Sequence, residues 1–286
     1  AVGGLIVDAQ PLRRFVEAEH LRGHGGERTG RPESIQTESH YDEVLRPTTT
    51  REPPMPTTAT SDPYPLDGAS VLLTGATGGI GRALAAELEQ RGADRTMVAR
   101  NAAALDALPG PGARVTLDLR SPDACEQAVR SAQEHAGRLD VVINAVGVVA
   151  FGPIVDLSID AMEELFLTNT FIPIMLARAA LPHLPAGGGL VNLTGVIAEQ
   201  NLPGMAAYGA SKAAARSFDE ALAREARRKK VRVLDARPPH TETGLVDRAI
   251  EGEAPRMPQG LAPGAVATAI CDALTGGAKD LPSSAF

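Results

Sequence analysis

The chain has 286 residues, enough for one large α/β domain with an appendage. Of these 43% are hydrophobic and 22% charged, proportions that build a core and exclude a chain disordered throughout. The formal net charge of −7 argues against a broad nucleic-acid footprint, and the basic run Arg224–Lys230 reads as a solvated helix end, where the dipole favours cations.

Residues 1–63 read as an extension or arm. Pro32, Pro47, Pro53, Pro54, Pro56 and Pro63 and a Thr-rich run from Thr48 to Thr60 leave too little apolar surface to offset the entropy of ordering them. The exception is 11–21, where Leu12, Phe15, Val16 and Leu21 recur at roughly helical spacing and predict a short amphipathic helix. Ala1–Val7 lacks the basic flank and length of a secretory signal, and no apolar run in the chain approaches the roughly 20 residues that cross a bilayer. A cytoplasmic location with no membrane or nucleic-acid partner is therefore expected.

From residue 64 to 286 the pattern is regular. Apolar runs at Val71–Thr74, Thr96–Ala99, Val115–Leu117, Val141–Ala145, Leu190–Thr194 and Val231–Asp235 alternate with longer Ala-rich segments of helical period. Runs apolar on both faces suit parallel strands covered by helices on each side. The expected fold class is therefore α/β, a doubly wound Rossmann-type parallel sheet whose ligand crevice lies at the carboxyl ends of the strands. Cys125 and Cys271 fall in helical segments without metal-ligand spacing, so no metal site is expected and a reducing compartment fits.

The first strand runs into Thr74-Gly75-Ala76-Thr77-Gly78-Gly79-Ile80-Gly81 and then a helix over Arg82–Arg91. Glycine there lets the backbone turn tightly and approach a pyrophosphate, while the N–H groups and positive dipole end of the helix face the anion. After the second strand comes Arg100-Asn101, where a dinucleotide site for the 2′-hydroxyl form would carry an acidic residue and one for the 2′-phosphate form a basic one. Arg100 thus points to NADP(H) in preference to NAD(H), which stays open.

The glycine spacing, with three residues between Gly75 and Gly79, resembles the TGxxxGIG pattern of the short-chain dehydrogenase/reductase family, and the resemblance extends over about 220 residues. It implies an adenine contact for Asp118-Leu119 and an NNAG-like turn for Asn144-Ala145-Val146-Gly147. It also implies that Asn169 supports an active-site water, and that Pro238 to Thr243 replaces PGxxxT, with Thr241 and Thr243 at the nicotinamide end. Relatives associate through the helices corresponding to Ser158–Leu181 and Tyr208–Arg227, so a homodimer or homotetramer is expected.

Tyr208 and Lys212 are four apart, on one face of a helix. A nearby ammonium favours a phenolate, so Lys212 is expected to draw the Tyr208 phenol down toward working pH as proton donor or acceptor. The resemblance adds a hydrogen bond from Lys212 to the nicotinamide ribose and predicts a serine thirteen residues before the tyrosine. The chain carries Gly195 there. Thr194 is the obvious substitute, although adjacent strand residues face opposite ways and its hydroxyl is expected to aim off-site unless the strand end twists. His240, Glu199, Gln200 and Asn201 are the other candidates for the lost donor.

Apolar residues including Val148, Phe151, Ile197, Met205 and Leu245 are expected to line the substrate pocket, which suits a small hydrophobic carbonyl or alcohol. The expected activity is NADP(H)-dependent interconversion of the two. The alternatives are a cofactor-binding protein with weakened catalysis and a regulatory or scaffolding role, or a reductase of C=C or C=N bonds.

Overall fold

The computed structural model describes residues 64–286; the extension 1–63, with the helix expected at 11–21, lies outside the described residues. Seven parallel strands form one sheet in the order β3-β2-β1-β4-β5-β6-β7. They are β1 (Ser70–Thr74), β2 (Asp94–Ala99), β3 (Ala113–Thr116), β4 (Val141–Asn144), β5 (Gly189–Leu193), β6 (Arg232–Ala236) and β7 (Asp280–Leu281). The order reverses between β1 and β4, paired Val71 to Val141 through Thr74 to Asn144, so a crevice opens above their carboxyl ends.

Residue alternation on the strands divides the core in two. Val71 and Leu73 of β1 and Val141 and Ile143 of β4 face α1 (Gly79–Gln90), α2 (Ala102–Asp106) and α7 (Pro263–Thr275). Leu72 and Val142 face the other way, onto α3 (Pro122–Ala136), α5 (Ile172–Ala180) and α6 (Ala206–Ala226). Each is fully buried, and burying one such side chain contributes about 1.5–3 kcal/mol. Helices on both faces are what strands without a polar side demand.

Helix starts are set by ordinary caps. Ser121 accepts a hydrogen bond from Ala124 N–H at the head of α3, with Pro122 at its first position, and Ser158 accepts from Ala161 N–H at the head of α4 (Ile159–Phe166). The segment expected as one helix from Ser158 to Leu181 is α4, a π-helical turn at Leu167–Phe171, and α5 in continuous succession. No helix among the described residues is long and apolar enough to cross a membrane.

Candidate active site

The glycine turn after β1 is shaped by close approach. Gly75 has φ +70°, and a Cβ on it would lie 2.6 Å from the Ala145 carbonyl oxygen; a Cβ on Gly81 would lie 2.1 Å from the Gly75 oxygen. Gly78 is the N-cap of helix α1 and no side chain caps that N-terminus, so backbone N–H groups there remain for an anion. A Cβ on Gly79 would fall 2.4 Å from Thr243 Cβ, so this glycine is what lets the loop after β6 lie against the turn. A backbone cradle that any side chain would fill, beside an uncapped helix end, fits a dinucleotide pyrophosphate.

A cleft of about 350 Å³ extends from this turn. It is lined at one end by Gly75, Thr77, Gly78, Gly79, Ile80 and Gly81 with Arg100, Asp118 and Leu119, and further on by Ala145, Gly147, Thr194, Tyr208, Lys212, Pro238, Thr241 and Thr243. Among the residues given catalytic or cofactor roles from the sequence, Thr74, Asn101, Asn144 and Asn169 do not line it. Asn101 caps α2, accepting from Ala104 N–H at 3.0 Å. Thr74 donates to Asn144 Oδ1 at 2.9 Å, and Asn144 Nδ2 donates to Asn192 Oδ1 at 3.1 Å. Asn192 in turn donates to Asp219 Oδ1 at 2.6 Å, so the NNAG-like asparagine belongs to a buried chain that ties β1, β4, β5 and α6 together.

Asn169 sits in the π-helical turn, the local geometry that often marks a functional position. Its amide reads the Val148 backbone twice, accepting from the N–H at 3.0 Å and donating to the C=O at 3.0 Å, and it also donates to Ser211 Oγ at 3.0 Å. That arrangement fixes the strand exit above β4. A Cβ on Gly147 would lie 3.3 Å from Lys212 Nζ and 3.4 Å from Asn169 Oδ1, so Gly147, Lys212 and Asn169 meet at one point.

Lys212 is buried and donates to the Leu193 carbonyl at 2.8 Å. Burial pushes its ammonium down to about 8, against the upward pull of Asp235 and Asp219. Tyr208 moves opposite to expectation, for burial among Val149, Phe151, Ile197 and Met205 pushes its phenol up to about 12. The phenol therefore holds its proton at neutral pH. Thr194 donates its hydroxyl to the Asp235 carboxylate, off the cleft, so it does not present the lost donor.

At the other end Arg120, which the sequence reading passed over, lines the cleft beside Asp118 and forms a 2.6 Å ion pair with it. Burial raises the Asp118 carboxyl, but the Arg120 guanidinium, helped by Arg100, holds it below the ordinary range. The apolar residues expected of the pocket, Val148, Phe151, Ile197, Met205 and Leu245, all line the inner cleft, joined by Met257. Met257 carried no sequence signal, because it arrives from a loop with no periodic pattern.

Residues 69–254 match the family model described as short chain dehydrogenase. The chain belongs to the short-chain dehydrogenase family. It is 34% identical over 196 residues to a versicolorin reductase of Emericella nidulans, a stretch covering 65% of this chain and 74% of that protein. It is 32% identical over 235 residues to dehydrogenase/reductase SDR family member 7B of Bos taurus, covering 74% of this chain and 72% of that one. Among solved structures it is similar to a short-chain dehydrogenase from Burkholderia cenocepacia in complex with NADP, with a TM-score of 0.69, 26% identity, and coverage of 77% of this chain and 89% of that one. As a short-chain dehydrogenase with reductase relatives, the protein is an oxidoreductase with a Rossmann-type nucleotide site.

Proposed function

We propose that the protein is an NADP(H)-dependent reductase that interconverts a carbonyl and an alcohol on a small hydrophobic substrate. The observation that carries this reading is the placement of Tyr208, packed against Val149, Phe151, Ile197 and Met205 on an apolar inner cleft with Lys212 one helical turn away. NADPH, when bound, supplies the hydride. Thr77, Gly78, Gly79 and Ile80 would hold its pyrophosphate and Thr241 and Thr243 its nicotinamide end. Tyr208 then gives its proton to the substrate oxygen, Lys212 stabilises the phenolate left behind, and Asn169 holds the strand exit that places both. Val149, Phe151 and Met205 exclude water from the reacting carbon.

NADP(H) is favoured over NAD(H) by Arg100, an exposed guanidinium on the cleft wall with no hydrogen-bond or ion-pair partner among the described residues. The NADP in a solved relative agrees with that reading. Arg120 adds a second cation nearby, although Asp118 neutralises it. A cytoplasmic homodimer or homotetramer built through α4–α5 and α6 completes the proposal.

Titration of NADPH and NADH with wild type and Arg100→Ala tests the cofactor reading: NADPH binding should weaken about tenfold or more in the variant with NADH little changed, as loss of a charge-assisted contact requires. Turnover on ketones, enones and imines tests the chemistry. Ketone reduction that falls at least about 100-fold in Tyr208→Phe, with NADPH binding retained, is the expected result. Oxidation of NADPH with enones or imines alone would move the activity to C=C or C=N bonds, and tight binding with no turnover at all would make the protein a nucleotide-binding scaffold.

A further inference from the structure

With Gly195 in the serine position, the inner cleft lacks one hydrogen-bond donor to the substrate oxygen. Three of its hydroxyls are committed elsewhere, Thr168 donating to Glu164, Thr194 to Asp235 and Thr241 to the Pro239 carbonyl, and Thr243 stands against Gly79 at the glycine turn. Lys212 is held by the Leu193 carbonyl. Of the other side chains weighed for the part, Glu199 accepts hydrogen bonds from Arg237 and Ser283, and neither it nor Gln200 nor Asn201 lines the cleft. His240 does line it.

The loop is built to hold that imidazole still. Pro238 and Pro239 precede it, its carbonyl accepts from Leu261 N–H at 2.8 Å, and Glu242 N–H donates to the Leu261 carbonyl at 2.9 Å, pinning both sides of the residue. A Cβ on Gly260 would lie 2.8 Å from His240 Cδ2, so the ring lies against a position that only glycine fits. Glu242, fixed by Gly260 N–H at 2.7 Å, places Oε1 3.7 Å from His240 Nε2, which orients the ring electrostatically without being a hydrogen bond. Neither ring nitrogen has a hydrogen-bond partner among the described residues. A half-buried, clamped imidazole with its hydrogen-bonding capacity unspent on a reductase cleft is an unused donor.

We propose that His240 takes the place of the missing serine, its imidazole N–H donating a hydrogen bond to the substrate carbonyl oxygen that Tyr208 protonates. The inference rests on the carbonyl-reductase reading above. His240 keeps its proton throughout; the oxygen's new proton comes from Tyr208 and the carbon's new bond from the hydride of NADPH.

The test uses the full chain with NADPH and three probe ketones, tetralone, isatin and acenaphthenequinone, comparing wild type with His240→Phe, His240→Ala and His240→Gln. Loss of one such donor costs on the order of 100-fold in rate, so kcat should fall by about that factor in the Phe and Ala variants. NADPH affinity, followed by its fluorescence, should stay within about twofold, and Gln, which retains an N–H donor, should recover part of the loss. Circular dichroism checks that each variant is folded, and the Phe variant, which keeps the ring volume, serves where Ala loosens the loop. Wild-type turnover left intact in His240→Phe, or a loss traced to weaker NADPH binding, overturns this inference alone. Wild type that binds NADPH yet reduces none of the probes overturns the reductase reading and this inference with it.

Discussion

Gly195 has φ +82° and ψ 164°, a backbone region that is essentially glycine's alone. The space beside it is ample, since a Cβ there would meet only the Pro238 oxygen at 3.8 Å. Strain, not volume, therefore decides what this position tolerates. Restoring the family's serine should cost about 1–3 kcal/mol of backbone strain, and each kcal/mol lowers Tm by roughly 2–4 °C in a domain of this size. Gly195→Ser is thus expected to melt several degrees lower than wild type and to gain no more than a few-fold in ketone turnover; a variant as stable as wild type and about 100-fold faster would show that the site simply lost its serine. Single residues were unevenly legible for the same reason. Tyr208 and Lys212 follow from helical spacing, and the diversion of the Thr194 hydroxyl follows from strand alternation. Its partner Asp235 lies on β6, which no local pattern ties to β5. The expectation that Lys212 lowers the Tyr208 phenol failed because the phenol's desolvation, set by side chains from three separate loops, is a tertiary quantity.

Elements were more legible than side-chain partners. The runs read as six strands correspond to β1 through β6 within a residue or two, because a buried parallel strand writes itself as a continuous apolar run. β7 was missed: two residues leave no pattern, and this strand is secured instead by Arg237, which pairs with Asp280 at 2.6 Å and with Asp235 beside it. The π-helical turn was missed because the apolar period runs through it, and only the pull of the Val148 backbone on Asn169 shows why it exists. Between elements, the chain Thr74–Asn144–Asn192–Asp219 crosses β1, β4 and β5 to reach α6, all buried. Asn192 is its only member with a side-chain partner on each side in the middle of the sheet that also reaches the helix. Asn192→Ala removes one donor and one acceptor and leaves Asn144 Nδ2 and the Asp219 carboxyl unpaired. Each such group costs about 1–3 kcal/mol, so a loss of roughly 2–5 kcal/mol is expected by urea denaturation. A loss under about 1 kcal/mol would mean that water or a shifted side chain repairs the chain.

Behind the cleft floor the protein buries three ionisable groups together, and they set how its stability answers to pH. Asp219 is raised well above its ordinary value, chiefly by desolvation, with one carboxyl oxygen lacking any hydrogen-bond partner. Asp235 is raised by burial too, against the hydrogen bonds from Thr194 and Arg237. Lys212 is lowered to about 8. The two carboxyls keep their protons longer in the folded than in the unfolded chain, so folding is unpenalised below the ordinary carboxylate range and loses stability as pH rises through the raised values. Lys212 acts with the opposite sign: its penalty is complete below about 8 and lifts as pH climbs from there toward the ordinary lysine value. Asp219→Asn isolates one contribution, because the amide oxygen can still accept from Asn192 while the charge is gone. Melting curves of variant and wild type should therefore differ least well below the ordinary aspartate value of about 3.9, where Asp219 is protonated in both states of the chain, and the variant should become progressively the more stable as pH rises. A gap that stays constant from acid to alkaline pH would mean that Asp219 titrates inside the fold as it does in the unfolded chain, its desolvation offset by its neighbours. A gap that reverses would mean that the ionised carboxylate is stabilised by its neighbour Lys212 more than burial opposes it, which would make the two an ion pair supporting the catalytic helix.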